Sequence, residues 1–158
     1  MAFYLYSVLI VAIIAAFVNN CFALSDENKE IIKEKIKANL AECGPKFGVT
    51  LEQVMEWKEQ KKIPDGVDKC FHACMFKKSG LLDDKGLFSE SAALEKIKLY
   101  APADKLAAAT ASVKTCASVN EEAVTDGDAG CERAVLLGKC IHEQKEVVSP
   151  NLSHISLS

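Results

Sequence analysis

The sequence predicts an all-α fold, a compact six-helix domain held together by disulfides, and three observations support this prediction. Apolar residues recur at three- and four-residue steps along most of the chain, as they do on one face of an α-helix. No stretch shows the sustained alternation of apolar and polar residues that a half-buried strand would need. Beyond residue 25 the chain contains six cysteines, separated by gaps of 26, 3, 41, 14 and 8 residues: Cys43, Cys70, Cys74, Cys116, Cys131 and Cys140.

The N-terminus has the pattern of a secretory signal peptide. Residues 2–18 form an apolar run with no charged side chain, and Cys21-Phe22-Ala23 provides a small-residue cleavage pattern. We therefore expect residues 1–23 to be removed and residues 24–158 to form one secreted, extracellular domain that does not insert into a membrane. The alternative, a signal anchor, would need about 20 apolar residues.

Cleavage after Ala23 would also remove Cys21 and leave an even number of cysteines. Secretion places them in an oxidising compartment, where six cysteines in a short chain indicate three disulfides. Fifteen pairings are possible in principle.

The first two helices are predicted from a stripe and a cap. Residues 26–43 contain an apolar stripe at four-residue steps, which predicts the first helix: Ile32, Ile36 and Leu40. Gly44-Pro45 is expected to end it. Thr50 and Gln53 have the spacing of a capping box, so a short second helix should follow, running to about Lys61.

The third helix has the clearest pattern. One stripe carries its apolar residues, and Gly80 is expected as its C-terminal cap: Val67, Cys70, Phe71, Cys74 and Met75. The segment 81–86 is expected to be a turn. Ser89 should begin a fourth helix that ends before Pro102.

Pro102 is a residue at which a fifth helix can begin, and its predicted buried face is Leu106, Ala109, Val113 and Cys116. A sixth helix is expected over residues 128–144. Within it Cys131 and Cys140 are nine residues apart, about 180° around the axis, so they should bond to different partners. From about residue 147 we expect an extended tail.

The cysteine spacing, with its three-residue second gap and eight-residue last gap, resembles the six-cysteine pattern of the insect odorant-binding proteins, including the pheromone-binding proteins. The segment 78–83, followed by Gly86, is also similar to that family's segment after the third cysteine. The resemblance spans the whole mature chain. It implies the disulfides Cys43–Cys74, Cys70–Cys131 and Cys116–Cys140, and a shell of helices that encloses an apolar cavity.

Periodicity alone cannot separate a cavity wall from a solid core, and each apolar residue taken singly is more often core. The resemblance favours a cavity. We predict that its walls are large apolar residues from the inward stripes of the third to sixth helices, with one tryptophan from the second: Trp57, Met75, Phe76, Phe88, Leu94, Ile97, Leu106, Val113, Leu137 and Ile141.

The resemblance implies a secreted carrier that reversibly binds small hydrophobic molecules, odorants or pheromones, and transports them through aqueous extracellular fluid such as sensillum lymph. Two alternatives remain open. One is a secreted interaction protein on the same scaffold, as in saliva, venom or seminal fluid, and the other is a carrier of a non-odorant lipid or hormone. A monomer or weak homodimer is expected, with a chemosensory receptor as a possible partner and no cofactor.

Other functions find little support in the sequence. The chain has 19 basic and 22 acidic residues, a net charge of −3, which argues against nucleic acid as a partner. It contains neither Gly-x-Ser-x-Gly nor His-Glu-x-x-His, so we do not expect an enzyme. His72 between Cys70 and Cys74 could suggest zinc, but the matched cysteine set favours disulfides over a metal site.

The C-terminal tail supports two further expectations. Its apolar residues could fold over the cavity as one wall: Val147, Val148, Leu152 and Ile155. Asn151-Leu152-Ser153 is a glycosylation sequon in the predicted secreted context, and a glycan on Asn151 would compete with that role.

Overall fold

The structure, a computed structural model, describes residues 26–60 and 66–148. These ranges contain six α-helices: α1 (Asp26–Phe47), α2 (Leu51–Gln60), α3 (Lys69–Lys78), α4 (Glu90–Tyr100), α5 (Leu106–Cys116) and α6 (Cys131–Val148). Two short 3₁₀ helices, Ala117–Asn120 and Gly127–Ala129, lie between α5 and α6, and the described residues contain no strand. The predicted all-α, six-helix fold is confirmed. The predicted signal peptide lies outside the described residues, as do Asn151 and the rest of the tail beyond Val148.

Helix α1 does not end where the sequence suggested. The prediction that Gly44-Pro45 stops it was wrong, because the helix continues through Pro45 to Phe47. Gly48, at φ +66°, is the left-handed residue that ends it, and the Val49 N–H donates to the Gly44 carbonyl at 2.9 Å. This bond closes the last turn from outside the helix.

The caps predicted from sequence are present. The Thr50 N–H donates to Gln53 Oε1 at 2.8 Å, and the Gln53 N–H donates to Thr50 Oγ1 at 3.3 Å, which is the reciprocal pair of a capping box. Gly80, at φ +70°, follows the C-cap of α3, and the Leu81 N–H donates to the Phe76 carbonyl at 2.8 Å. Each of these helix ends is determined by residues within a few positions of it.

The later helices differ slightly from prediction. Helix α5 begins at Leu106 rather than Pro102, because Pro102 opens a turn in which the Lys105 N–H donates to its carbonyl at 2.9 Å. Helix α6 reaches Val148, slightly beyond the residue at about 147 where the tail was expected to begin. Pro150 disfavours helical backbone only at the residue before it, so the sequence allows α6 to extend this far.

Three disulfides join the helices, and they are the pairs that the resemblance implies. Cys43–Cys74 links α1 to α3, Cys70–Cys131 links α3 to α6, and Cys116–Cys140 links α5 to α6, with Cα–Cα distances of 5.9, 4.4 and 5.7 Å. As predicted, the two cysteines of α6 bond to different helices. Helix α6 is therefore fastened on two sides.

The buried residues form two clusters. The larger lies among α3, α4, α5 and α6 and includes Ala134 and Leu137, both fully buried. The smaller lies where α1, α2 and α3 meet, around Leu40, Cys43 and Phe71. Burial of apolar surface in these clusters contributes roughly 25 cal/mol per Å² to stability.

One buried charge was not predicted. Arg133 of α6 is only 6% exposed, and its guanidinium donates to the carbonyls of Val119 and Glu122, the latter at 3.2 Å. A buried guanidinium is tolerated when backbone oxygens accept its protons. Arg133 thereby fastens the loop after α5 to α6.

Candidate ligand-binding cavity

A cavity of about 390 Å³ lies between α4 and α5, with α1, α6 and the hairpin turn 81–88 completing its walls. Among the described residues sixteen line it. Eleven of these are apolar: Ile32, Leu81, Phe88, Ala93, Ile97, Ala101, Pro102, Ala109, Val113, Cys116 and Ile141. Its volume is within the range of about 300–1,000 Å³ that is usual for small-molecule sites.

The cavity runs from the interior to the surface. Its inner end is formed by Phe88, Ala93 and Cys116, which are 6%, 4% and 2% exposed. The more exposed part of its lining includes Ile141 of α6, which is 42% exposed, and half-buried Tyr100 and Lys105 at the connection between α4 and α5. Ala93 and Tyr100 are seven residues apart on α4, which corresponds to about 10 Å along the helix axis.

Five lining residues are polar: Lys96, Tyr100, Lys105, Ser112 and Gln144. The Ser112 hydroxyl lies 3.0 Å from the Ala108 carbonyl and 3.3 Å from Gln144 Oε1. Because a hydroxyl has one proton, these two bonds are alternatives. A few polar groups in an otherwise apolar wall are what orient a ligand in such a site.

A second concavity, of about 530 Å³, follows the end of α1 and the start of α2. It is a surface groove, since Ala41, Pro45 and Gly48 in its lining are all exposed. A small apolar ligand gains most free energy where it is enclosed. The cavity between α4 and α5 is therefore the candidate site, although the groove is larger.

The sequence model of the PBP/GOBP family matches residues 25–144. The chain belongs to the PBP/GOBP family. General odorant-binding protein 28a of Drosophila melanogaster is 32% identical over 108 residues, which cover 67% of this chain and 72% of that protein. The PBP/GOBP family is a family of odorant-binding proteins.

Solved structures show the same fold. Odorant-binding protein dmelOBP28a from Drosophila melanogaster matches with a TM-score of 0.56 and 31% identity, covering 75% of this chain and 95% of that one. The fatty acid binding protein OBP56a from the oral disk of the blowfly Phormia regina matches with a TM-score of 0.53 and 24% identity, covering 79% and 97%. At that identity the second match supports the fold alone.

Four of the residues predicted to line a cavity in this PBP/GOBP protein do so: Phe88, Ile97, Val113 and Ile141. The other six lie elsewhere. Leu137 is fully buried in the larger cluster, and Phe76 and Leu94 pack against that cluster. Trp57 and Met75 pack in the smaller cluster, and Leu106 is half-buried at the start of α5 without reaching the cavity. The inward stripe of α3 faces the disulfide-linked core rather than the cavity.

Sequence reasoning missed most of the small and polar lining residues of this family member. Ala93, Ala101 and Ala109 leave space because their side chains are short, and the alanine content of α4 and α5 was the available signal. Ile32 and Ala109 were recognised on helix stripes but not as cavity walls. Tyr100, Ser112 and Gln144 had no signal in the sequence, since their position depends on how the helices pack.

His72 does not form a metal site with its neighbours, because Cys70 and Cys74 are both in disulfides. Burial lowers the pKa of His72, against a weaker opposing effect of Asp68, and its ring packs 5.7 Å from that of Phe71. Within the described ranges no group of three or more histidine, cysteine or acidic residues is placed to hold a metal ion. Nor is any helix there long and apolar enough to cross a membrane.

Proposed function

We propose that this protein is a secreted carrier that binds small hydrophobic molecules, odorants or pheromones, reversibly in the cavity between α4 and α5. It carries them through aqueous extracellular fluid. The observation that carries the proposal is a mostly apolar cavity of about 390 Å³ between α4 and α5, inside a shell joined by three disulfides. Membership of the PBP/GOBP family supports it.

The magnitudes suit capture followed by release. Burying about ten carbons contributes roughly 8 kcal/mol at about 0.8 kcal/mol per CH₂. Immobilising the ligand costs at least about 4 kcal/mol, which leaves a net of about 4 kcal/mol, a millimolar affinity, so micromolar binding requires shape complementarity and a hydrogen bond in addition. Phe88, Ile97, Val113 and Ile141 supply most of the large apolar contacts in this proposal.

The tail beyond α6 is proposed as a further wall of the same site. Ile141 and Gln144 of α6 line the cavity, and the chain continues from α6 toward Leu152 and Ile155. Truncation after Glu146 should weaken binding. Unchanged affinity would contradict the role of the tail without affecting the carrier proposal.

Displacement of an apolar fluorescent probe by volatile ligands tests the carrier function directly. Ala109→Leu fills part of the cavity and should reduce probe binding at least about tenfold, which corresponds to about 1.4 kcal/mol. Ala107→Leu is the matched control, since Ala107 is exposed on the same helix. Absence of probe uptake by the correctly oxidised wild type would overturn the proposal and favour the interaction protein.

A further inference from the structure

Phe88 is the largest buried side chain in the described lining of the cavity. The other large apolar or aromatic residues of that lining are more exposed: Ile32, Leu81, Ile97 and Tyr100 are half-buried, and Ile141 is 42% exposed. A side chain with solvent beside it can shift to make room for a ligand, whereas a side chain in a close-packed interior cannot shift without displacing its neighbours. The inner end of the cavity is therefore less adaptable than the rest of its wall.

The backbone of Phe88 is held at both its N–H and its carbonyl. The Asn120 amide accepts from the Phe88 N–H at 2.8 Å and donates to the Phe88 carbonyl at 2.9 Å. Asn120 ends the 3₁₀ helix whose Val119 carbonyl accepts from the buried guanidinium of Arg133, on α6. Backbone movement that carried Phe88 away from a ligand would have to break these bonds, which are expensive to leave unmade in the interior.

The hairpin turn that carries Phe88 is fixed independently of Asn120. The Ser89 N–H donates to the Leu81 carbonyl at 2.9 Å, across the base of the turn. Near the tip of the turn Gly86 packs backbone against backbone on Gly130, the residue before α6. These contacts oppose any displacement of the turn as a whole, so neither the ring nor the segment that carries it can recede.

We propose that Phe88 sets the length of the longest apolar chain that the cavity accepts. A chain whose end reaches the ring cannot extend further inward, so each additional CH₂ must stay in the more exposed part of the lining. There it remains in contact with water and gains little free energy from burial. The gain in affinity per carbon therefore stops at a defined chain length. This inference rests on the proposed carrier function and names the residue that determines its selectivity for length.

Displacement of the apolar fluorescent probe by linear alcohols from hexanol to dodecanol measures this limit on the full oxidised protein. The alcohols are neutral and differ only in length. The lining extends about 10 Å along α4 from Ala93 to Tyr100, less than the extended length of dodecanol, so the limit should fall within the series. Affinity should rise about fourfold per CH₂ up to the limit and less than about twofold per CH₂ beyond it.

Smaller side chains at position 88 should move the limit to longer alcohols. Phe88→Leu should move it by about one carbon and Phe88→Ala by about two or more, because the space left by a large-to-small substitution is only partly filled by relaxation. If Phe88→Ala does not fold, Phe88→Leu decides the question. Phe76→Leu is the matched control, since Phe76 packs against the same buried cluster without lining the cavity, and it should leave the limit unchanged.

Three results would overturn the role of Phe88 and leave the carrier function standing. They are an affinity that rises steadily to dodecanol in the wild type, the same limit in the wild type and Phe88→Leu, and equal shifts in Phe88→Leu and Phe76→Leu. Equal shifts would indicate a general loosening of the buried cluster. Failure of the probe and of every alcohol to bind the wild type would overturn both the length limit and the carrier function.

Discussion

Gly86 and Gly130 pack backbone against backbone, so closely that a Cβ added to either would lie 2.7 Å from the Cα of the other. Both residues have positive φ, +72° and +68°. Their contact joins the hairpin turn 81–88, which places Leu81 and Phe88 in the cavity wall, to the start of α6. A side chain on either glycine would separate these two segments.

Gly86→Ala and Gly130→Ala should therefore each destabilise the protein by about 3 kcal/mol or more, from left-handed strain and steric overlap together. Gly127→Ala separates the two effects, because Gly127 has φ +52° but no atom within 4 Å of an added Cβ. It should cost only about 1–2 kcal/mol. Denaturant unfolding measures all three, and equal losses would mean that the close contact contributes nothing.

Asn120 holds the backbone of Phe88 with both ends of its amide. The Phe88 N–H donates to Asn120 Oδ1 at 2.8 Å, and Asn120 Nδ2 donates to the Phe88 carbonyl at 2.9 Å. Asn120→Ala should cost about 2 kcal/mol of unfolding free energy and weaken ligand binding, since Phe88 forms the inner end of the cavity.

Asn120→Asp is the sharper variant, because a carboxylate can accept from the Phe88 N–H but cannot donate to its carbonyl. It should lower the affinity for a neutral apolar probe at least as much as Asn120→Ala. Ser118→Ala, at an exposed residue of the same 3₁₀ helix, should change stability by less than about 0.5 kcal/mol. A wild-type affinity in both Asn120 variants would show that this clamp does not position Phe88.

Glu132 makes the stability of the folded protein depend on pH. The Glu132 carboxylate accepts three hydrogen bonds: from the Thr125 N–H at 2.8 Å, from Lys69 Nζ at 3.0 Å and from the Thr125 hydroxyl at 3.0 Å. These bonds lower the pKa of Glu132 to about 2. Because the folded pKa is below the ordinary value of 4.5, the carboxylate stabilises the fold above pH 4.5. That stability is lost as the pH falls through about 2.

Glu132→Gln should abolish most of this dependence, so that the difference in unfolding free energy between variant and wild type shrinks between pH 5 and pH 2. Unfolding by urea at a series of pH values measures it. Glu143→Gln, at an exposed residue of α6, provides the control and should leave the pH profile unchanged. A Glu132→Gln profile parallel to that of the wild type would contradict the assignment.

The Cys116–Cys140 and Cys43–Cys74 disulfides should differ in their effect on ligand binding. Replacing Cys116 and Cys140 together by alanine should cost about 3–4 kcal/mol in the chain-entropy model and also weaken probe binding, because this bridge joins two helices of the cavity wall. The Cys43–Cys74 bridge closes a loop of similar length, so replacing both of its cysteines by alanine should cost about as much.

Affinity distinguishes the two pairs of substitutions. The Cys43 and Cys74 bridge lies in the smaller cluster, away from the cavity, so probe affinity should stay within about twofold of the wild type while the protein remains folded. Fluorescence titration below the unfolding temperature of each variant measures this. Equal loss of affinity in both would indicate that the shell responds as one unit.

Local features were predictable from the sequence because their causes are local. The Thr50 and Gln53 capping box and the Gly80 cap depend on residues three or four positions apart. The end of α1 was predicted wrongly although its cause is equally local. Gly48 in the left-handed conformation ends the helix, and the Val49 N–H donates back to the Gly44 carbonyl.

The cavity shows the limit of periodicity most clearly. Val113 and Leu137 are both on apolar stripes and both buried, yet Val113 lines the cavity while Leu137 is enclosed by other side chains. A stripe marks which face of a helix is covered, but not whether a side chain or an empty volume covers it. Arg133 and Asn120, which hold the loop before α6, left no pattern in the sequence because their partners are backbone atoms.

The sequence by itself determined the helical class, the helix caps and the set of six cysteines, and its spacing indicated the family. These follow from short-range periodicity, cap chemistry and residue counts, all of which can be determined from the sequence without knowing how the helices pack. Only the tertiary structure decided that α4 and α5 enclose a cavity whose walls are mostly apolar. That volume depends on which alanines face each other across the helices, and on the close approach of Gly86 to Gly130 that keeps Phe88 in its wall.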